Sequence, residues 1–281
     1  MTTAAAQGFA TAPAGRGTAI ALLLLGGWLG MHAGEVILAW RADGPAAVLA
    51  SPAVGPLELM ALWLSAEALW QGRAAPVPGL AWAVALPFAL GMLLPSSLLP
   101  ALLLIGFGLL LAAQRRGAAR WGALGMAGLG LNLLWLRFGQ PAIGAPIVTA
   151  EAWTIKGLLG LLEPGITRDG HLLRMPGDHA VIILPGCSFG QTLPVALLGF
   201  LLLRHGAGRQ PPLRRTLAAM GLLVVALAAA NLVRLGLLAW SPATYAWGHG
   251  AVGANLFGLA GVLLIHLAAE AWAAEAWTAD G

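Results

Sequence analysis

Residues 214–238 read RRTLAAMGLLVVALAAANLVRLGLL. No charged residue interrupts the run between Arg215 and Arg234. At about 1.5 Å per helical residue, Arg234 stands about 30 Å beyond Arg214, which is the thickness of a bilayer hydrocarbon core. The stretch therefore reads as a membrane span with arginine near both ends. The whole chain has the same character. Of its 281 residues, 59% are hydrophobic and 9% charged, with a mean hydropathy of +0.83. A soluble domain carries about 25% charged residues and has no core large enough for this much apolar surface. A water-soluble globular enzyme is excluded, and disorder fails on the same figures. The net charge is +4 and the pI about 10.5, but 14 of the 15 basic residues are arginines scattered between apolar stretches. They read as topology determinants rather than a phosphate-binding patch, so no nucleic-acid partner is expected. The single cysteine, Cys187, leaves no intramolecular disulfide.

The expected fold is mainly α, a polytopic transmembrane helical bundle of about eight spans near 18–40, 55–71, 78–94, 96–113, 119–138, 188–204, 214–238 and 249–271. Only Leu94-Pro95-Ser96-Ser97 separates the third span from the fourth, and a single broken helix there would reduce the count to seven. The first span reads as a retained anchor, because its apolar character continues to Trp40. The chain divides into N-terminal transmembrane helices (1–138), an extracytoplasmic segment (139–187) and a C-terminal three-helix transmembrane segment carrying the candidate site (188–281). With both termini cytoplasmic, nine arginines fall on the cytoplasmic side (Arg16, Arg73, Arg115, Arg116, Arg120, Arg204, Arg209, Arg214, Arg215) and two, Arg41 and Arg137, in the opposite short segments. Within the long extracytoplasmic segment, 146–162 reads as an interfacial helix with Glu151 and Lys156 on its wet face and Trp153, Ile155, Leu158 and Leu159 below. Asp169-Gly170 and Pro176-Gly177-Asp178-His179 read as the turns of a small β-hairpin element delivering the chain to Cys187.

Three polar residues converge in depth. Cys187 opens the sixth span, Arg234 ends the climb of the seventh, and His249 opens the eighth, all at the outer surface. An imidazole can take the proton of a thiol and stabilise the resulting thiolate. A permanently charged guanidinium can stabilise an oxyanion developing on a scissile carbonyl. These are the parts needed for acyl transfer through a thioester. His179, eight residues before Cys187, is the competing base; His171 is a weaker one, and His205 and His266 fall toward the cytoplasmic side. No metal-ligand spacing or phosphate loop is present, so neither metal nor cofactor is expected. Small-x-x-x-small patterns around Gly122–Gly130 read as close helix packing.

The quoted residues resemble the exosortase/archaeosortase family of membrane cysteine transpeptidases. The resemblance rests on Gly186-Cys187-Ser188-Phe189-Gly190 after a β element, Asn231-Leu232-Val233-Arg234 near the end of the next helix, and Gly248-His249-Gly250 at the start of the one after. It covers about residues 165–260. The family usually continues from Cys-Ser into Gly, a hydrophobic residue and Arg, whereas this chain has Phe189-Gly190-Gln191. The resemblance implies a catalytic Cys187 nucleophile, Arg234 as oxyanion or intermediate stabiliser, and His249 as general acid/base. Asn231 and Ser188 are implied as supporting residues, one turn from Arg234 and beside Cys187. Implied partners are exported proteins bearing a C-terminal sorting signal, made of a short motif, a transmembrane helix and a basic cluster, which are cleaved and transferred to an acceptor. The implied location is the plasma (inner) membrane, with the site at the extracytoplasmic face. The alternative is a non-catalytic or transporter-like membrane protein. Transporters tend to carry paired repeats and helices broken at the midplane, neither of which is evident.

Overall fold

The computed structural model describes residues 16–50, 55–71, 88, 98–206 and 212–278. The chain is helical apart from one small sheet among these residues: α1 (Arg16–Met31), α2 (Ala33–Asp43), α3 (Pro45–Ala50), α4 (Pro56–Gln71), α5 (Leu98–Gln114), α6 (Gly117–Leu134), α7 (Gln140–Gly160), β1 (Thr167–Asp169), β2 (Leu172–Arg174), β3 (Ala180–Ile182), α8 (Phe189–Gly206), α9 (Leu213–Trp240), α10 (Pro242–His249) and α11 (Ala251–Thr278).

The expected count of about eight spans is corrected. Among the described residues two helices are long and apolar enough to cross a membrane, α9 and the Ala251–Ala271 part of α11. A third results only if Ala19–Met31 and Ala33–Ala42, which meet at a bend of 56°, form one broken span. Length and dilution explain the difference. α4 has 16 residues, Glu58 and Glu67 among them, and α5 has 17. At about 1.5 Å per residue both fall short of a hydrocarbon core of about 30 Å. α6 reaches 18 residues but includes Arg120, Asn132 and five glycines, and α8 includes Gln191, Arg204 and His205. The run expected near 78–94 lies outside the described residues apart from Phe88, as do Arg73 and Arg209.

The two long helices carry apolar side chains on their outer faces. Val252, Leu256, Leu259, Leu263 and Leu267 of α11 recur at helical spacing and are all exposed, as are Leu217, Leu222, Val225 and Val233 of α9. A stripe of this length is unfavourable in water and suits hydrocarbon surroundings.

The main core joins α1, α4, α5, α6, α8, α9 and α11 through Leu24, Trp28, Leu62, Phe107, Leu111, Met126, Leu129, Phe200, Leu227 and Ile265. Glycines let the helices approach. A Cβ on Gly122 would stand 2.7 Å from both the Leu69 nitrogen and the Ser65 oxygen, and one on Gly108 2.6 Å from the Ala127 nitrogen. A second cluster lies toward the other end of α9: Val148, Ala152 and Ile155 of α7, Leu173 of β2, Ile183, and Leu235 and Leu238 of α9. α9 therefore ties the bundle to the segment that carries the sheet.

That segment is held by a nearly unbroken helical backbone. A π-turn over Trp135–Gly139 joins α6 to α7, and Leu134, Trp135, Gly139 and Gln140 all keep right-handed helical dihedrals. Pro141 has no N–H to return to the carbonyl four residues back, and its ring would crowd that carbonyl. A local π-turn widens the helix at that point. The sheet is an antiparallel meander in the order β1-β2-β3, with Asp169 paired to Leu172 and Arg174 to Ala180. Gly170 (φ +57°) and Gly177 (φ +92°) supply the left-handed conformations its two turns need. Leu173 and Val181, paired across β2 and β3, are buried, and Leu173 belongs to the second cluster.

Candidate functional site

Cys187 ends a single 3₁₀ turn, Pro185–Cys187, whose backbone closes through Cys187 N–H to Leu184 O (2.8 Å) and Ser188 N–H to Pro185 O (3.1 Å). Two distant side chains hold this turn and the helix it opens. The Gln140 amide donates to Pro185 O, and the Trp135 indole donates to Gly190 O at 2.8 Å. Residues 135–140 at the α6–α7 junction thus fix the segment around the cysteine. The thiol is half-buried and packs against the second apolar cluster.

Ser188 begins α8 in an extended conformation, and its hydroxyl accepts from Gly190 N–H at 3.1 Å. This is N-capping, in which a side-chain oxygen satisfies one of the orphan donors of a helix's first turn. Of the other first-turn donors, Phe189 N–H goes to Glu151 Oε1 (3.1 Å) and Gln191 N–H to Ser188 O (3.1 Å). The backbone donors that follow the cysteine are occupied from within the protein.

Asn231 and Arg234 stand one turn apart on α9 and line a cavity of about 170 Å³. Ser188 and Gln191 from α8 and Glu58 from α4 line it too. Gly186 and Ser188, on either side of Cys187, are both in its wall, whereas the thiol turns to the apolar cluster. The Nε of Arg234 is buried and has no hydrogen-bond partner. An unpaired buried guanidinium donor in a largely apolar cavity is suited to an incoming carbonyl or oxyanion.

His249 is the last residue of α10, separated from α11 by Gly250 alone. The helix is started by a capping box in which the Ser241 and Thr244 side chains reciprocally satisfy backbone donors. His249 is exposed as a whole residue, and its partly buried ring lies 4.6 Å from the Tyr245 ring, centroid to centroid. Partial burial, reinforced by the positive charge of Arg234, holds its imidazole below the ordinary histidine range. Among the expected residues, Ser188, Asn231 and Arg234 share one cavity, Cys187 adjoins it through its neighbours, and His249 lies within the field of Arg234.

The competing base, His179, is engaged elsewhere. Its Nε2 lies 3.1 Å from Leu238 O, and its ring meets the edge of Tyr245. A carbonyl only accepts, so Nε2 carries the proton and the basic lone pair is left on Nδ1. His171 Nε2 lies 2.9 Å from the Thr149 hydroxyl. Among the described residues no group of three or more His, Cys, Asp or Glu side chains is placed to hold a metal ion.

Glu151, expected on a wet interfacial face, is 5% exposed. Its Oε1 accepts from the Asn231 amide at 2.8 Å as well as from Phe189 N–H, and the Ser188 hydroxyl lies beside the carboxyl group. Burial pushes its pKa up, against the opposing pull of these donors. The amphipathic reading of α7 was rotated. The buried face is Gln140, Gly144, Val148, Glu151, Ala152 and Ile155, whereas Trp153 and Leu158 are exposed. A signal was present: those positions repeat at helical spacing and include the helix's sole carboxylate. Pairing polar with outside hid it.

No family model, curated protein or solved structure matches the chain.

Proposed function

We propose that this protein is a membrane-embedded cysteine transpeptidase or protease of the exosortase type, acting on exported proteins through a thioester. The observation that carries the reading is the unpaired Arg234 Nε beside a cavity whose wall includes both neighbours of the sole cysteine. Because the backbone N–H groups after Cys187 are already bonded, stabilisation of an oxyanion falls to Arg234 rather than to the helix N-terminus. In the proposed sequence the Cys187 thiol gives its proton to His249, and Sγ attacks the peptide carbonyl. The C–N bond then breaks as the imidazolium returns the proton to the leaving amine. An acceptor amine or water cleaves the thioester and regenerates the thiol. Partial burial and, secondarily, Arg234 lower the affinity of His249 for protons, which favours the basic imidazole near neutral pH.

The proposed location is the plasma (inner) membrane. α9 and α11 cross as an antiparallel pair, with Arg214 and Arg215 on the cytoplasmic side and the 241–250 connection with His249 on the extracytoplasmic side. Substrates are exported proteins whose C-terminal sorting signal enters from the bilayer.

The test is to express the full chain with the host's exported proteins, trap acyl adducts at low temperature, and identify by mass spectrometry any peptide linked to Cys187. A wild-type adduct that is absent from Cys187→Ala, with Arg234→Ala and His249→Ala impaired at normal expression, is expected. Substrate processing that persists in Cys187→Ala refutes the nucleophile. A thiol that stays inert toward alkylating agents well above pH 8 favours the non-catalytic alternative.

A further inference from the structure

We propose that Glu151 is a positioning residue of this site, acting through Asn231 to hold the Arg234-bearing turn of α9 against the Cys187–Ser188 turn. The inference rests on the reading of Cys187 and Arg234 given above. One carboxylate oxygen receives two donors from different elements, the Asn231 amide of α9 and the Phe189 N–H of α8, and it is itself carried by α7. Three segments that are far apart in sequence therefore meet at a single atom. Phe189 is two residues from Cys187, and Asn231 is one helical turn from Arg234, so a shift in the carboxylate is felt on both sides of the cavity. The neighbouring Trp135 and Gln140 bonds fix the cysteine turn to the start of α7, but neither reaches α9. Glu151 makes that remaining link.

The geometry also specifies which substitutions it accepts. Oε1 is the atom in use, whereas Oε2 is buried and has no hydrogen-bond partner. A glutamine keeps an acceptor at Oε1, the only oxygen in use, so Glu151→Gln should preserve the link. Glu151→Ala removes it and leaves the Asn231 amide and Phe189 N–H without an acceptor.

The experiment uses the full chain in membranes and two readouts. The first is alkylation of Cys187 by N-ethylmaleimide, which needs no substrate and is unambiguous because no other cysteine exists. Glu151→Ala is expected to change the alkylation rate by about tenfold or more, the scale of one lost charge-assisted hydrogen bond, and Glu151→Gln by less than about threefold. Wild-type alkylation by Glu151→Ala overturns the proposal, as does Gln behaving like Ala. The second readout is formation of the Cys187 adduct in an Arg234→Ala background. Because Glu151 holds the Arg234 turn as well as the cysteine turn, Glu151→Ala should cost less there than in the wild type, whereas an equal loss in both backgrounds overturns the proposal. Absence of any wild-type adduct is a failure of the transpeptidase reading, and the alkylation pattern then judges the positioning role alone.

Discussion

Replacing Trp135 with phenylalanine tests how the cysteine segment is held. The indole N–H donates to Gly190 O at 2.8 Å, across 55 residues of sequence. Gly190 is buried in the first turn of α8, and the helical partner of its carbonyl is the N–H four residues on. That residue is Pro194, which has no N–H to give. Trp135 supplies the donor that the proline withholds. The substituted phenyl ring would retain most of the aromatic packing and leave the carbonyl unsatisfied, a penalty of about 1–3 kcal/mol. For a chain of this size that lowers the melting temperature by about 2–6 °C. The informative comparison is a double-mutant cycle with Pro194→Ala. Alanine restores an N–H at position 194, so Trp135→Phe should then be less destabilising by about 1 kcal/mol. Thermal unfolding of the purified, detergent-solubilised protein measures all four corners of the cycle. Equal effects of Trp135→Phe in both backgrounds, within about 0.5 kcal/mol, would refute the reasoning.

Further outcomes follow from other contacts. Ser188→Ala removes the cap of α8 and should destabilise by about 0.5–2 kcal/mol, whereas Ser188→Thr, which keeps a neutral hydroxyl acceptor, should destabilise less; melting curves distinguish the two. Gly122→Ala drives a Cβ onto the backbone of α4 and should cost about 1–3 kcal/mol, while Gly221→Ala, which meets nothing within 4 Å, should be neutral or slightly stabilising. For His249, burial and then Arg234 lower the folded-state pKa, so the unfolded chain binds the proton first as pH falls. Its contribution to stability is intact above about pH 6.5, the ordinary imidazole value, and declines as pH falls from there through the folded value. A plot of melting temperature against pH should show a low-pH decline that is smaller in His249→Gln. Matching wild-type and variant curves would exclude the linkage.

Much of the β element was legible locally. Asp169-Gly170 and Pro176-Gly177 mark two turns because positive φ is accessible to glycine, and the structure bends at Gly170 and Gly177. The apolar run from 216 to 233 likewise needs nothing beyond its own length to read as a long helix. The overcount of spans arose because an apolar composition does not state where a helix stops. Residues 18–40 read as one segment but bend near His32, and 55–71 forms a helix of only 16 residues with the buried Glu58 in its first turn. Glu151 was missed because a helix with apolar residues on most of its circumference does not say which side meets the protein.

The sequence by itself determined the apolar, helical character of the chain, its turns, the arginines near both ends of α9, and the candidate residues Cys187, Ser188, Asn231, Arg234 and His249. Those properties depend on neighbours within a turn or on composition. Only the tertiary structure decided that Glu151 is buried against Asn231 and Phe189, that Trp135 completes a helix interrupted by Pro194, and that Arg234 Nε is left without a partner beside a cavity. Each joins groups separated by tens of residues. Hydrogen bonds over that separation form only after packing of the helices has brought the groups within reach, so no local pattern encodes them.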